Sequence, residues 1–116
     1  MKKVEAIVAT SKLDAIRLLL ERIGADSLTV TEVRGYGEDY AKQKRHTERY
    51  RGQEHDVLLN PKVKIEVVVE DSRVPALLAD LSRVTWTGKL GDGKIFVIPV
   101  DEAVRIRTNE RGKDAL

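Results

Sequence analysis

Between Thr87 and Lys94 the chain reads Thr-Gly-Lys-Leu-Gly-Asp-Gly-Lys. Glycines let backbone N–H groups come close to a phosphate, and Lys89 and Lys94 can neutralise its charge. The run is not a Walker A loop, because its spacing fails and it precedes a strand rather than a helix. Gly91-Asp92-Gly93 also suits a plain turn, so the pattern alone leaves both readings open. Asp92 is either an acid of the site or the residue that shapes the turn. Arg105 and Arg107 alternate, so in an extended segment both would point the same way. Paired guanidiniums suit phosphate, and a solvated tail is the alternative. Gln43, Lys44 and Lys62 lie at the two roots of a long polar stretch. Lys62, just past Pro61, can pair with a carboxylate or phosphate, or simply be solvated. His46 and His55 are the only histidines and lack a metal-ligand spacing. No Ser-His-Asp or Cys-His arrangement can be assembled.

The last of these, Gln43, Lys44, Lys62 and the two histidines, sit on the stretch from Gly35 to Lys62. From Glu38 to Asp56 it has no apolar periodicity of 2 or 3.6, and its charges nearly cancel. Such a segment cannot bury a core face. Strand-like runs flank it, and neighbouring strands normally need only about 2–5 connecting residues. The stretch is therefore a functional loop or a disordered insertion, and long loops lean towards function.

The rest of the chain must position these groups. Lys3 to Val8 alternates as a first strand, with Val4, Ala6 and Val8 on one face. Ser11 opens a helix with Asp14 as a capping acid. Leu13, Ile16, Leu20 and Ile23 form its stripe, and Gly24 its C-terminal cap. Leu28 to Tyr36 reads as a second strand. Val63 begins a third, with Val63, Ile65, Val67 and Val69 on one face. Asp71 or Ser72 caps a second helix, with Pro75 in its first turn and Val74, Leu77, Leu78, Leu81 and Val84 as its stripe. Ile95 to Val100 is a fourth strand, and residues 101–116 form a mostly polar tail.

The order βαββαβ predicts an α+β, ferredoxin-like sandwich: a four-stranded antiparallel sheet with two helices on one face. The other face carries Ile7, Val33, Val68 and Phe96 beside Lys3, Lys64 and Glu66. Such a half-apolar, half-charged face suits a subunit interface or an ordinary solvated sheet. The 116 residues suit one domain, 1–116. With 41% hydrophobic and 34% charged residues, the chain is globular rather than disordered. Apolar runs are too short to span a membrane, and the start lacks a signal peptide's apolar stretch. A cytoplasmic location is expected. There is no cysteine, hence no disulfide framework or thiolate metal site. A net charge of +2 does not argue for nucleic acid. RNA-recognition modules share this strand order but need stacking aromatics, and only 4% of residues are aromatic.

Five ordered motifs together resemble the PII nitrogen-regulatory signal-transduction proteins. They are Thr29-Val30-Thr31-Glu32-Val33 with Gly35-Tyr36-Gly37; His46 to Gly52; Pro61 to Glu66; Thr87-Gly88-Lys89 through Val97; and Arg105-Ile106-Arg107-Thr108. The resemblance implies a homotrimer with ATP/ADP sites in the clefts between subunits. Gly91, Gly93 and Lys94 would hold phosphates, with Arg105 and Arg107 reaching in from the neighbour. Ile7, Thr29, Glu66 and Val68 would line base and ribose, and Gly35, Gly37 and Asp92 would complete the set. Lys62 would pair with a carboxylate of 2-oxoglutarate, and Gln43 would help coordinate Mg²⁺ between that ligand and ATP. Loop 37–56 would be the effector loop that docks on a target transporter or enzyme, without membrane insertion. Regulation rather than catalysis is implied. The alternatives are a sensor of nucleotide or another small anion that serves a transporter unrelated to nitrogen, and a slow ATP-hydrolysing enzyme.

The chain departs from the family in three places. Glu38-Asp39-Tyr40-Ala41 reads as an insertion in the loop. His55 stands where the family's modifiable tyrosine falls, while Tyr50 matches the other loop tyrosine. Ala9-Thr10 replaces a Lys-Pro pair after the first strand.

Overall fold

The computed structural model describes residues 1–25, 27–37 and 59–116. Most of the long loop, with Gln43, Lys44, His46, Tyr50 and His55, lies outside the described residues. Four strands form one antiparallel sheet: β1 (Lys2–Ala9), β2 (Thr29–Gly35), β3 (Asn60–Val69) and β4 (Lys94–Pro99), in the order β2-β3-β1-β4. Helices α1 (Leu13–Arg22) and α2 (Val74–Thr85) complete the expected α+β, ferredoxin-like sandwich.

The alternation read from the strands is the alternation that folds. Val4, Ala6 and Val8 of β1 and Val63, Ile65, Val67 and Val69 of β3 are all buried. They meet Ile16, Leu19 and Leu20 of α1 and Leu77 and Leu81 of α2 in one core. Leu19 was absent from the expected stripe. Thr85 is the one buried polar residue among those described, and its hydroxyl donates to the Leu81 carbonyl at 2.7 Å. The helix thereby supplies the partner that a buried hydroxyl needs.

Both helices begin differently from expectation. Each is entered through a 3-10 turn, Thr10–Lys12 and Asp71–Arg73, and no side chain caps either start. Ser11 and Ser72 lie inside those turns rather than ahead of the helices. Asp71 instead pairs with the amino group of Met1 at 2.9 Å. A 3-10 turn already satisfies part of the first orphan N–H set, which removes the need for a side-chain cap. The end of α1 follows expectation. Gly24 has φ 73°, its N–H donates to Glu21, and the Ala25 N–H donates to Leu20. That pair of bonds is a Schellman cap.

The third strand starts earlier than expected, at Asn60 rather than Val63, and includes Pro61. Asn60 faces Gly35 and Pro61 faces Arg34, whereas pairing with β1 stops at Lys62. Pro61 therefore has a strand neighbour on one side only, where its missing N–H costs no ladder bond.

The two helices cover β1 and β3 but leave the outer strands partly bare. Val30 and Val97 stand opposite buried Ile65 and Val4, so they share the helix side of the sheet. Their exposures are nonetheless 41% and 39%. Leu81→Ala should lower the unfolding free energy by roughly 2–5 kcal/mol, the usual cost of a core cavity. Leu18→Ala, on the bare side of α1 at 53% exposure, should change it by no more than about 0.5 kcal/mol. Urea midpoints at unchanged slope would measure both.

Candidate ligand cleft

At the end of the sheet where β1 finishes and β4 begins, the open face leads into a cleft of about 510 Å³. β1 contributes Ile7. The end of β2 contributes Gly35, and the chain beyond it Tyr36 and Gly37. β3 contributes Lys62, and β4 contributes Lys94 and Phe96. The fourth wall is the turn Lys89-Leu90-Gly91-Asp92-Gly93. Register explains the convergence, because Ile7 stands between Lys64 on β3 and Lys94 on β4.

The turn is held against the strand by a glycine. Gly93 has φ 99°, and a Cβ built there would lie 1.9 Å from the Ile7 carbonyl oxygen and 3.1 Å from the Val8 Cα. Both the dihedral and the backbone contact exclude any side chain. The turn is also closed from within. The Asp92 carboxylate accepts from the Thr87 N–H at 2.8 Å, from the Gly88 N–H at 3.0 Å, and from the Thr87 hydroxyl. The Lys89 N–H donates in turn to the Thr87 hydroxyl oxygen at 3.2 Å. These bonds, the Thr87 hydroxyl's first among them, hold the Asp92 carboxyl below the ordinary value of 3.8. Asp92 is thus spent on shaping the turn.

Across the cleft, Lys62 Nζ donates to the Gly91 carbonyl at 2.7 Å. It ties the base of the long loop to the glycine turn. Lys62, Lys89 and Lys94 line the cleft with Asp92 as the one acid among its lining residues. A cavity with three ammonium groups, glycine backbone and an apolar floor of Ile7 and Phe96 can hold an anion that carries a flat apolar portion.

Eight of the expected site residues meet here: Ile7, Gly35, Gly37, Lys62, Gly91, Asp92, Gly93 and Lys94. Tyr36, Lys89, Leu90 and Phe96 line the cleft as well, although they were not in the expected ligand set. Lys89 was legible as a cation of the glycine run. Phe96 follows from alternation with Lys94 on β4.

The remaining expected residues lie elsewhere. Thr29 and Glu66 stand opposite one another on β2 and β3. Glu66 pairs with Lys3 at 3.1 Å and Lys64 at 3.7 Å, and Lys3 also reaches Glu5 at 3.7 Å. The Lys3 contact lowers the Glu66 pKa, and the same contact raises that of Lys3. Val68 and Arg105 line a second cavity of about 320 Å³, together with Arg73 and Lys113. Lys62 and Val68 are six residues apart on β3, about 20 Å at the usual rise. Neither Arg105 nor Arg107 lines the cleft.

The extended Arg105–Arg107 segment is a correction. Val104 and Arg111 form an antiparallel bridge, and the chain between them turns back with Asn109 at φ 60°. The Asn109 N–H donates to the Arg105 carbonyl at 2.7 Å. Alternation therefore does not aim the two arginines alike. The Arg105 guanidinium donates to the Leu116 oxygen at 2.8 Å and to the Ala115 carbonyl at 3.4 Å. Among the described residues no group of three His, Cys, Asp or Glu is placed to hold a metal. No described helix is long and apolar enough to cross a membrane.

Fold and cleft together define a small antiparallel sandwich with a basic, glycine-walled cleft at the base of a long polar segment. A model of the family described as nitrogen regulatory protein P-II matches residues 1–110. Proteins of that name from Azospirillum brasilense and Rhodospirillum rubrum are 52% and 50% identical to this chain over 116 residues, the full length of each partner. One from Pasteurella multocida is 49% identical, again over the full length of both chains. The chain belongs to the P-II family of nitrogen-regulatory signal-transduction proteins.

The Asp92 bonds predict a pH dependence. A carboxylate with a depressed folded pKa contributes stability above its unfolded value and loses it as pH falls through the folded one. Asp92→Asn should therefore be less stable than the parent at neutral pH. The two should converge as pH falls below 3.8. Urea titrations across that range would read the convergence.

Proposed function

We propose that the cleft binds the phosphates of ATP and ADP, and that this chain is a regulator that signals the bound state to a target protein through loop 37–56. The observation that carries the reading is the glycine turn pressed on Ile7 with Lys62, Lys89 and Lys94 around it. Backbone N–H groups and ammonium groups suit an oligophosphate, and Ile7 and Phe96 suit a base.

The assembly we propose is a homotrimer. Thr29, Glu66, Val68, Arg105 and Arg107 do not line the cleft of their own protomer. Along β3 the cleft and Val68 are about 20 Å apart. A neighbour that brings its Val68 end to this cleft supplies the missing base contacts and arginines. The bare outer strands and the mixed open face are surfaces that such neighbours would cover.

Mg²⁺ fits this site only as a companion of the phosphates, since the cleft's described lining holds a single acid, already bonded to Thr87 and Gly88. Bound there, it would neutralise phosphate charge, as Mg²⁺ commonly does with few protein ligands. Gln43, its proposed ligand, lies outside the described residues. Lys62 would meet a carboxylate of 2-oxoglutarate, which would draw its ammonium from the Gly91 carbonyl. A sensor of nucleotide alone, or of another small anion, is the second reading, favoured by Ala9-Thr10 in place of the Lys-Pro pair after β1.

Calorimetry should find ATP and ADP binding in the micromolar range, roughly −8 kcal/mol. Lys94→Ala should weaken both at least about tenfold, the scale of one charge-assisted hydrogen bond. Equal affinity in parent and variant would remove the phosphates from this cleft. 2-Oxoglutarate should bind better with MgATP than with ADP, and Lys62→Ala should abolish the difference. No 2-oxoglutarate binding under any of these conditions would leave nucleotide alone, or another small anion, as the signal.

A further inference from the structure

A third cavity, of about 430 Å³, lies behind the glycine turn on the helix side of the sheet. Its floor is Val8, Leu78 and Ile95, and Trp86 forms one wall. It shares Asp92 to Lys94 with the ligand cleft, so the two cavities lie back to back across the same turn. Trp86 is 72% exposed, with its ring over Gly88. An apolar floor beside an uncovered indole calls for an apolar occupant.

Several apolar side chains are exposed among the described residues, and one is nearly bare. Ile106 is 97% exposed, the most exposed of the large hydrophobic side chains. It does not sit on a loose end. The hairpin that carries it is closed by the Val104–Arg111 bridge, by the Gly112 N–H to the Ala103 carbonyl at 3.0 Å, and by Glu102, which accepts from the Gly112 N–H at 3.1 Å. Little ordering entropy remains to be lost when such a tip docks.

Ile106 cannot reach the cavity of its own protomer. Its neighbour Arg105 is anchored beside Val67 to Glu70, and Lys2 of β1 pairs with Val69 at that end. Val8 lies six residues further along β1, about 20 Å away. Adjacent Cα atoms span only about 3.8 Å. As an occupant, Ile106 must come from another copy.

We propose that Ile106 of one copy seats in the Val8–Leu78–Ile95 cavity of the next, against Trp86, as a knob of the interface between protomers. The inference rests on the assembly of copies proposed above. Tail tip and cavity are different patches, so the contact is head-to-tail and generates a closed ring or an open chain. A three-membered ring is the closed form consistent with the proposed trimer. The cavity shares its wall with the ligand cleft, so the same contact braces the glycine turn from behind.

The chain has no cysteine, which makes the contact directly testable. Ser82 lines the cavity and is exposed. The full chain with Ile106→Cys and Ser82→Cys, oxidised in air with copper phenanthroline, should give covalently linked multimers on a denaturing gel. Either substitution alone should not. A disulfide within one protomer is ruled out by separation, since bridged Cα atoms lie within about 7 Å. In parallel, Ile106→Asp should weaken association at least tenfold by light scattering, with the parent's circular dichroism. A monomeric band from the double variant, the same multimers from Ile106→Cys alone, or an unchanged mass for Ile106→Asp would each overturn the proposal. Neither readout requires nucleotide. Cross-linking in a chain that binds none would therefore fail the nucleotide reading alone, while nucleotide binding without cross-linking would fail this contact alone.

Discussion

The contact between Gly93 and the Ile7 carbonyl is the constraint on which the site depends. A backbone can lie that close to a strand only where no Cβ intervenes. Because it does, the turn from Thr87 to Gly93 folds over the open end of β1 instead of projecting into solvent. Thr87 and Asp92 then close the turn on itself, and Lys62 ties it to the base of the long loop. The cleft is the space these three restraints leave. Its positive lining follows from which residues the restraints bring together, since no single element carries all three lysines.

The Lys62 bond has a mechanical consequence. One ammonium group links β3, where the long loop rejoins the sheet, to the carbonyl of Gly91 in the glycine turn. An anion that takes that ammonium must release the turn or share it. A ligand shifts such an arrangement only by its differential affinity for the two states. The link joins the glycine turn to the strand on which the long loop ends.

The core itself is narrow. Two central strands and two helices supply all the buried hydrophobic residues described. The outer strands keep valines at about 40% exposure on the side that the helices should cover. A small sandwich buries a modest share of its surface, and apolar groups stay bare on its edge strands and on a braced hairpin tip. Strand edges, open face and tail tip are all of this kind.

Strand alternation, the helix stripes and the βαββαβ order were determined by the sequence alone, because a period of 2 or 3.6 is a local property that burial merely follows. The family was legible for the same reason, as its motifs are contiguous runs. The glycine run was legible as a phosphate loop or a plain turn, and only the approach of Gly93 to Ile7 decided its place. Helix starts were misjudged, since a 3-10 turn replaced the side-chain caps and Asp71 found the Met1 amine instead. Arg105 and Arg107 were misjudged because alternation presumes extension, and the Val104–Arg111 bridge bends the tail. The division of the expected ligand residues between a cleft and a distant surface was decided by strand register. Register is a long-range relation that no local pattern states, and it sets Lys62 and Val68 at opposite ends of one strand.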